Sequence, residues 1–173
     1  MKSITKWQIA GFVFTSVAGV LLHFLFDWSG GSVFVAPFSA VNESIWEHMK
    51  LLFFSMLMFA FVESRHTGNN FWCIKLIGIV LGVVLIPIFY YVINGAFGET
   101  PDWINIAIFF IAAAVSYIVE SYLFKKDVPN CQSSYWALTA LWIIAFAFVA
   151  FTFAPPRIPL FEDPITGGYG FEK

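Results

Sequence analysis

Five residues with side chains that bind metals or transfer protons lie in the first third of the chain: His23, Asp27, Glu43, Glu47 and His48. Imidazole and carboxylate groups are ligands for Zn²⁺, Fe²⁺ and Mn²⁺, and a mixture of the two favours zinc or iron over calcium. The same groups serve as general acids and bases. The sequence therefore predicts a divalent-metal site with all five as ligands, and catalytic roles for His23, Asp27, Glu47 and His48.

His23 and Asp27 stand four residues apart, which places both on one face of a helix and within reach of each other. A carboxylate beside an imidazole fixes its tautomer and raises its basicity, as suits a metal ligand or a general base. The structural alternative is that Asp27 is the first residue in water and His23 bonds a neighbouring helix. For an isolated pair this alternative ranks first.

A second polar group opens the next apolar stretch, with the sequence N-E-S-I-W-E-H-M-K over 42–50. At about 100° per residue, Glu43, Glu47 and Lys50 share one arc of a helix and His48 lies on its flank. The apolar run after Lys50 holds about 12 residues where about 20 are needed, so these polar groups are expected at membrane depth. Lys50 also offers an alternative to a metal, because its ammonium beside Glu47 would neutralise the site without a bound ion.

Helix capping competes with chemistry as the reason for this motif. Ser44 and Glu47 have the spacing of a capping box. Asn42 as the cap fits better, because apolar residues then occupy the positions of a hydrophobic staple and Glu47 has no capping duty. The positive end of the helix dipole would stabilise the Glu43 carboxylate. A structural role and a functional role for Glu43 therefore have about equal weight.

The composition shows which elements must position these groups. Hydrophobic residues make up 60% of the chain and charged residues 12%, with a mean hydropathy of +0.80, which excludes a soluble domain. Five stretches are long and apolar enough to span a bilayer: 7–26, 45–62, 71–93, 103–124 and 135–153. The predicted fold is an all-α, polytopic transmembrane bundle of five spans. The net charge of −2 excludes a nucleic-acid partner.

Lysine and arginine gather on one side of the predicted spans, at Lys2, Lys6, Arg65, Lys75, Lys125 and Lys126. Because short basic loops stay in the cytoplasm, we expect a multi-pass cell-membrane protein with its N-terminus inside and its C-terminus outside. Cys73 and Cys131 then lie on the reducing side, and no disulfide is expected. Glu63 is interpreted as a solvated loop charge, and Glu120 as an interfacial partner of the lysines that follow it.

The C-terminal segment mixes turn formers with large apolar residues, which a solvated tail would lack. We therefore divide the chain into a bundle over 1–154 and an ordered tail over 155–173 that packs on the outer face. The tail is expected to cover the outer mouth with Asp163 near the polar cluster, and a loosely held cap is the alternative. The candidate anchors are Phe161, Ile165 and Tyr169.

The chain resembles an uncharacterised family of small, five-span bacterial integral membrane proteins, a domain of unknown function. The resemblance lies in N-E-S-x-W-E-H-x-K over 42–50 and F-x-D-P-x-T-G-x-Y-G over 161–170, and in the size and number of spans. It implies only that the two motifs work together. Within these motifs, Asn42, Lys50 and Asp163 are further candidate site residues. It supplies no activity.

Three classes of function fit these observations. A metal-dependent hydrolase or transferase would act on a membrane lipid or another small amphiphile. A transporter or ion-binding protein would use the same carboxylates, but it should show polar residues along the inner halves of the spans, which are apolar apart from Thr15, Ser16 and Ser55. A structural or accessory subunit needs only capping and interhelical hydrogen bonds. We rank the enzyme above the transporter, and both together above the structural role.

Overall fold

The computed structural model describes residues 2–66, 70–98, 101–129, 131 and 134–171. These residues form five α-helices and no β-strand: α1 Lys2–Trp28, α2 Ile45–Glu63, α3 Phe71–Phe97, α4 Asp102–Lys126 and α5 Tyr135–Phe153. Each helix is long and apolar enough to cross a membrane. In a bilayer a helix satisfies its own backbone hydrogen bonds, which is why such apolar stretches fold in this way. The all-helical, multi-pass prediction is confirmed.

Helix α2 is the centre of the bundle. Of its most apolar stretch 72% is buried inside the protein, against 22% to 39% for the other four helices. Helix α1 packs on α2 and α4, α3 packs on α4, α2 and α5, and α5 also contacts α2. The outer helices therefore present large apolar side chains to lipid. Helix α2 places polar residues of the 42–50 motif in the interior.

Two glycines on α3, Gly78 and Gly82, allow the close approach of α4. A Cβ atom at Gly78 would collide with the Glu120 carboxylate, and one at Gly82 would collide with the Ser116 hydroxyl. The contact brings polar side chains of α4 against α3.

The C-terminal tail packs on the end of the bundle where α2 begins, which we call the tail face. The Asn42 side-chain amide donates to the Gly170 carbonyl oxygen at 3.2 Å, and the Trp46 backbone N–H donates to the Leu160 carbonyl at 3.0 Å. Phe161 is buried, with its ring centroid 4.5 Å from that of Trp46. The two sequence motifs therefore contact each other directly. The division of the chain at residue 154 stays a prediction.

The opposite end, where α1 and α3 begin, is here called the basic face. It contains a disulfide between Cys73 and Cys131, so the expectation of reduced thiols was wrong. Cys131 lies next to the start of α3, where the Asn70 side chain accepts a hydrogen bond from the Cys131 N–H at 3.1 Å. Because disulfides persist in oxidising compartments, this pairing opposes the orientation inferred from the basic residues. The N-inside orientation stays a prediction.

Candidate metal site

The turn before α2 sets the positions of the polar groups on the tail face. Ser44 is the N-cap, since its hydroxyl accepts a hydrogen bond from the Glu47 backbone N–H at 3.4 Å. The preference for Asn42 as the cap was therefore wrong. The Asn42 side chain instead accepts from the Ser44 N–H at 3.0 Å, which forms a turn before the helix. Glu43 consequently precedes the helix and does not share the arc of Glu47.

Three of the predicted ligands come together across α1 and the start of α2. His23 Nε2 lies 3.7 Å from Glu43 Oε1, and His48 Nε2 lies 3.6 Å from Glu43 Oε2. The two imidazole rings are 5.6 Å apart between centroids. One ligand atom from each residue lies within 4.8 Å of the others. All three side chains are partly exposed, so the site opens toward the surface of the tail face.

The hydrogen bond of His48 fixes which of its nitrogens is available. His48 Nδ1 lies 2.9 Å from the Ser44 carbonyl oxygen, and a carbonyl can only accept. Nδ1 therefore carries a proton, and in a neutral ring the lone pair is on Nε2, which faces the Glu43 carboxylate. Two acceptors that face each other need a cation or a donor between them: a metal ion, an additional proton on the ring, or a water molecule that donates to both. Metal-binding histidines commonly donate their other N–H to a backbone carbonyl in this way.

A pocket of about 260 Å³ lies over the three residues. Its remaining lining comes from Asn105 and Ile106 on α4 and from Pro164 and Ile165 of the tail. The Asn105 carbonyl oxygen is buried and has no hydrogen-bond partner among the described residues. The pocket therefore combines a candidate metal centre, one available polar group and apolar walls.

Sequence reasoning did not identify Asn105. The signal was present, because an amide within a predicted span is costly unless it bonds another group, and Asn105 stands between Ile104 and Ile106 within the fourth span. Only the packing of α4 against α1 and α2 shows that this amide reaches the pocket.

The structure places the other predicted site residues outside this group. Glu47 is buried and binds Lys50 Nζ at 2.5 Å, with the Val41 N–H as a second donor at 3.0 Å. Asp27 is exposed at the end of α1. Asp163 is buried and accepts from the Thr166 hydroxyl at 2.6 Å, which stabilises a turn of the tail next to the pocket.

Lys50 completes a second polar group beneath the tail. Its ammonium also donates to the Ala36 carbonyl at 2.9 Å and to the Thr152 hydroxyl at 2.8 Å. These bonds connect α2 to the segment before it and to the end of α5. Glu47 and Lys50 therefore support the tail face and leave Glu43 as the carboxylate between the two imidazoles.

A family model matches almost the whole chain. The model of DUF6512, a family of unknown function, matches residues 1–171. The chain belongs to the DUF6512 family. This membership confirms the resemblance to an uncharacterised family and assigns no activity to it. No curated protein and no solved structure matches this DUF6512 protein.

Proposed function

We propose that this protein binds a divalent metal ion through His23, Glu43 and His48, with zinc as the preferred ion. The observation that carries the proposal is the pair of facing acceptors, His48 Nε2 and the Glu43 carboxylate, at 3.6 Å with His48 Nδ1 bonded to a carbonyl. Two histidines and one glutamate are also a ligand set of catalytic zinc sites, which keep a further position open. The same set suits Fe²⁺.

The distances suit a metal after a small adjustment of the side chains. Two ligand atoms about 2.1 Å from one tetrahedral ion lie about 3.4 Å apart. The contacts of Glu43 with the two histidines are 3.6 and 3.7 Å. The third separation closes by rotation of the His23 ring, since the His48 ring is held by its hydrogen bond to Ser44. Glu43 offers a different oxygen to each histidine, and one bound ion would need only one of them.

The pocket indicates what such a site would act on. A divalent ion supplies Lewis-acid polarisation of a carbonyl or phosphoryl oxygen. Asn105 would hold a polar substrate group by its amide, while Ile106, Pro164 and Ile165 would contact an apolar portion. We therefore propose a metal-dependent hydrolase or transferase for an amphiphilic substrate at the membrane surface.

Transport by the same site receives less support. A smaller pocket of about 50 Å³ continues beneath the two histidines, and its walls come mostly from Gly19, Leu51, Phe109 and Phe110. An ion leaving the site toward the basic face would meet these apolar side chains and would lose its ligands. The arrangement favours a reaction at the tail face over conduction through the bundle.

Zinc binding to the purified protein tests the metal site. After removal of metals with a chelator, the protein in detergent is expected to bind about one Zn²⁺ per chain by calorimetry and elemental analysis. Glu43→Gln should weaken zinc binding by at least about tenfold, since it removes the central ligand charge. Asp27→Asn is the matched control, because it removes a nearby carboxylate that lies outside the group, and its affinity should equal that of the native chain. Equal zinc affinity for Glu43→Gln and the native protein would refute the site.

Hydrolysis is tested separately from binding. The native protein in lipid nanodiscs is offered p-nitrophenyl octanoate and bis(p-nitrophenyl) phosphate, with and without zinc. Zinc-dependent release of p-nitrophenol that is lost in Glu43→Gln supports a hydrolase. Binding of zinc without turnover of either probe would leave the metal site in place and remove the support for ester and phosphodiester hydrolysis.

A further inference from the structure

Four polar side chains are buried together near the basic face, far along the helices from the candidate metal site. We call them the Lys75 cluster: Gln8 on α1, Glu63 on α2, Lys75 on α3 and Glu120 on α4. The Lys75 ammonium lies 2.6 Å from Glu63 Oε2 and 2.5 Å from Glu120 Oε2. The Gln8 amide donates to Glu63 Oε1 at 2.5 Å. The three charged residues have no exposed surface.

This cluster overturns two interpretations made from the sequence. Glu63 is not a solvated loop charge, and Glu120 does not pair with the lysines at the end of α4. Both glutamates turn into the bundle because the small Gly78 lets α4 approach α3, which brings Glu120 to Lys75. The local sequence contains no sign of this contact, because its partners are on three different helices.

The charges of the Lys75 cluster do not balance. Two carboxylates surround one ammonium, and aromatic rings cover the remainder, with the centroids of Tyr117, Phe71 and Phe124 at 5.1, 5.7 and 6.0 Å from Lys75 Nζ. Tyr117 is the further titratable group that faces the cluster, and its hydroxyl pairs with Thr15 at 2.8 Å. A net negative charge buried within membrane-spanning helices is strongly unfavourable.

The hydrogen bonds distinguish the two carboxylates. Both oxygens of Glu63 have a partner, because the Gln8 amide donates to Oε1 and the Lys75 ammonium lies 2.6 Å from Oε2 as an ion pair, without a well-aligned hydrogen bond. Glu120 Oε1 is buried and has neither a hydrogen bond nor an ion pair with the described residues, and Gln8 Oε1 has no hydrogen-bond partner among them either. An ionised carboxylate needs donors on both oxygens, while a neutral carboxyl group needs fewer. Glu120 is therefore the less stable anion of the two.

We propose that the Lys75 cluster is a proton-binding site, in which Glu120 carries a proton at neutral pH while Glu63 and Lys75 stay charged. The bound proton makes the cluster neutral. This inference does not depend on the candidate metal site, which lies at the other end of the bundle.

A groove gives this proton a route of exchange. A cavity of about 310 Å³ lies between α1 and α4, and Gln8 and Tyr117 line it together with Thr5 and Ser121. Gln8 also bonds Glu63, so one member of the Lys75 cluster forms part of the groove wall. Thr5 and Ser121 are polar residues of the same groove, and the rest of its lining, from Ile9, Phe12, Ala114 and Ile118, is apolar.

The second buried ion pair provides a matched control. Glu47 is as deeply buried as Glu120, but it faces one ammonium alone, that of Lys50, and its oxygens have further donors. Its charge is balanced without an added proton. Glu47→Gln should therefore leave the protonation of Glu120 unchanged.

Infrared spectroscopy of the protein in nanodiscs at neutral pH tests the proposal, because a protonated carboxyl group has a C=O stretching band apart from those of carboxylates. The native protein should show this band, and Glu120→Gln should lack it. Glu63→Gln should lack it too, because Glu120 then becomes the sole partner of Lys75 and ionises. Lys75→Met should increase the band about twofold, because both carboxyls then become neutral.

Several results would overturn the proposal. One is the absence of the band from the native protein, and another is a band that survives both glutamine substitutions or disappears in Glu47→Gln. A band that appears only when choline replaces sodium in the buffer would show that a cation, and not a proton, balances the cluster. Glutamine preserves the volume of glutamate, and circular dichroism of each variant checks its fold. The native spectra decide the outcome even where a variant does not fold.

Discussion

Substitution of Lys50 by methionine is predicted to destabilise the tail face strongly. The Lys50 ammonium is fully buried, and its three N–H groups reach Glu47, Ala36 and Thr152. Lys50→Met keeps most of the side-chain volume but leaves the Glu47 carboxylate buried without a counter-charge. Removing one partner of a buried ion pair costs about 3–5 kcal/mol, so we expect a loss of that size in the free energy of unfolding.

A double substitution separates the charge effect from packing. Glu47→Leu with Lys50→Met removes both charges, and its stability should lie within about 1 kcal/mol of the native protein, because well-packed apolar side chains replace a buried pair at little cost. Unfolding by SDS titration in mixed micelles, followed by circular dichroism, measures all three proteins. The double variant should still bind zinc, since neither residue belongs to the group of His23, Glu43 and His48.

The reasoning about this pair is refuted by either of two results. Lys50→Met could cost less than about 1 kcal/mol, which would mean that the Glu47 carboxylate is neutral or hydrated in the native protein. Alternatively, the double variant could lose zinc binding while it remains folded, which would return Glu47 to the metal site.

Two further predictions concern other parts of the bundle. Gly78→Ala should lower the free energy of unfolding by about 1–3 kcal/mol because its Cβ overpacks the contact between α3 and α4, while Gly95→Ala, with open space around it, should leave it unchanged or raise it because alanine is the better helix former; thermal unfolding in detergent compares them. Mass spectrometry of a non-reducing digest should recover one peptide pair joined through Cys73 and Cys131, and Cys73→Ser should destabilise the protein by about 2–4 kcal/mol; two free thiols in the native protein would contradict the disulfide.

Composition alone predicted the architecture, because a bilayer leaves few alternatives to helices for five long apolar stretches. Each predicted span lies within an observed helix. The meeting of His23 with His48 was also predictable, since consecutive spans joined on one side bring the end of α1 next to the start of α2. The connection between α1 and α2 therefore places these two histidines on the same side of the bundle.

The details of the site depended on local turns that the sequence left ambiguous. Asn42 and Ser44 both cap helices well, and a shift of the cap from one to the other moves Glu43 off the helix and toward the histidines. The same shift leaves Glu47 facing Lys50 in the interior. A difference of two residues in the start of one helix therefore decided which carboxylate joins the imidazoles.

The Lys75 cluster lay beyond sequence reasoning for a different reason. Glu63, Lys75 and Glu120 are far apart in the chain, and each has a plausible solvated role near a span end. Their pairing depends on how closely α3 and α4 approach, which Gly78 permits but does not specify. Contacts between helices that are set by packing have no local signature in the sequence.

X-ray absorption at the zinc edge, on zinc-loaded protein, tests the central claim most directly. The account predicts two imidazole nitrogens and one carboxylate oxygen at about 2.0–2.2 Å, with the carboxylate contribution lost in Glu43→Gln and retained in Asp27→Asn. Zinc coordinated by sulfur, or by oxygen atoms without imidazole, would contradict it.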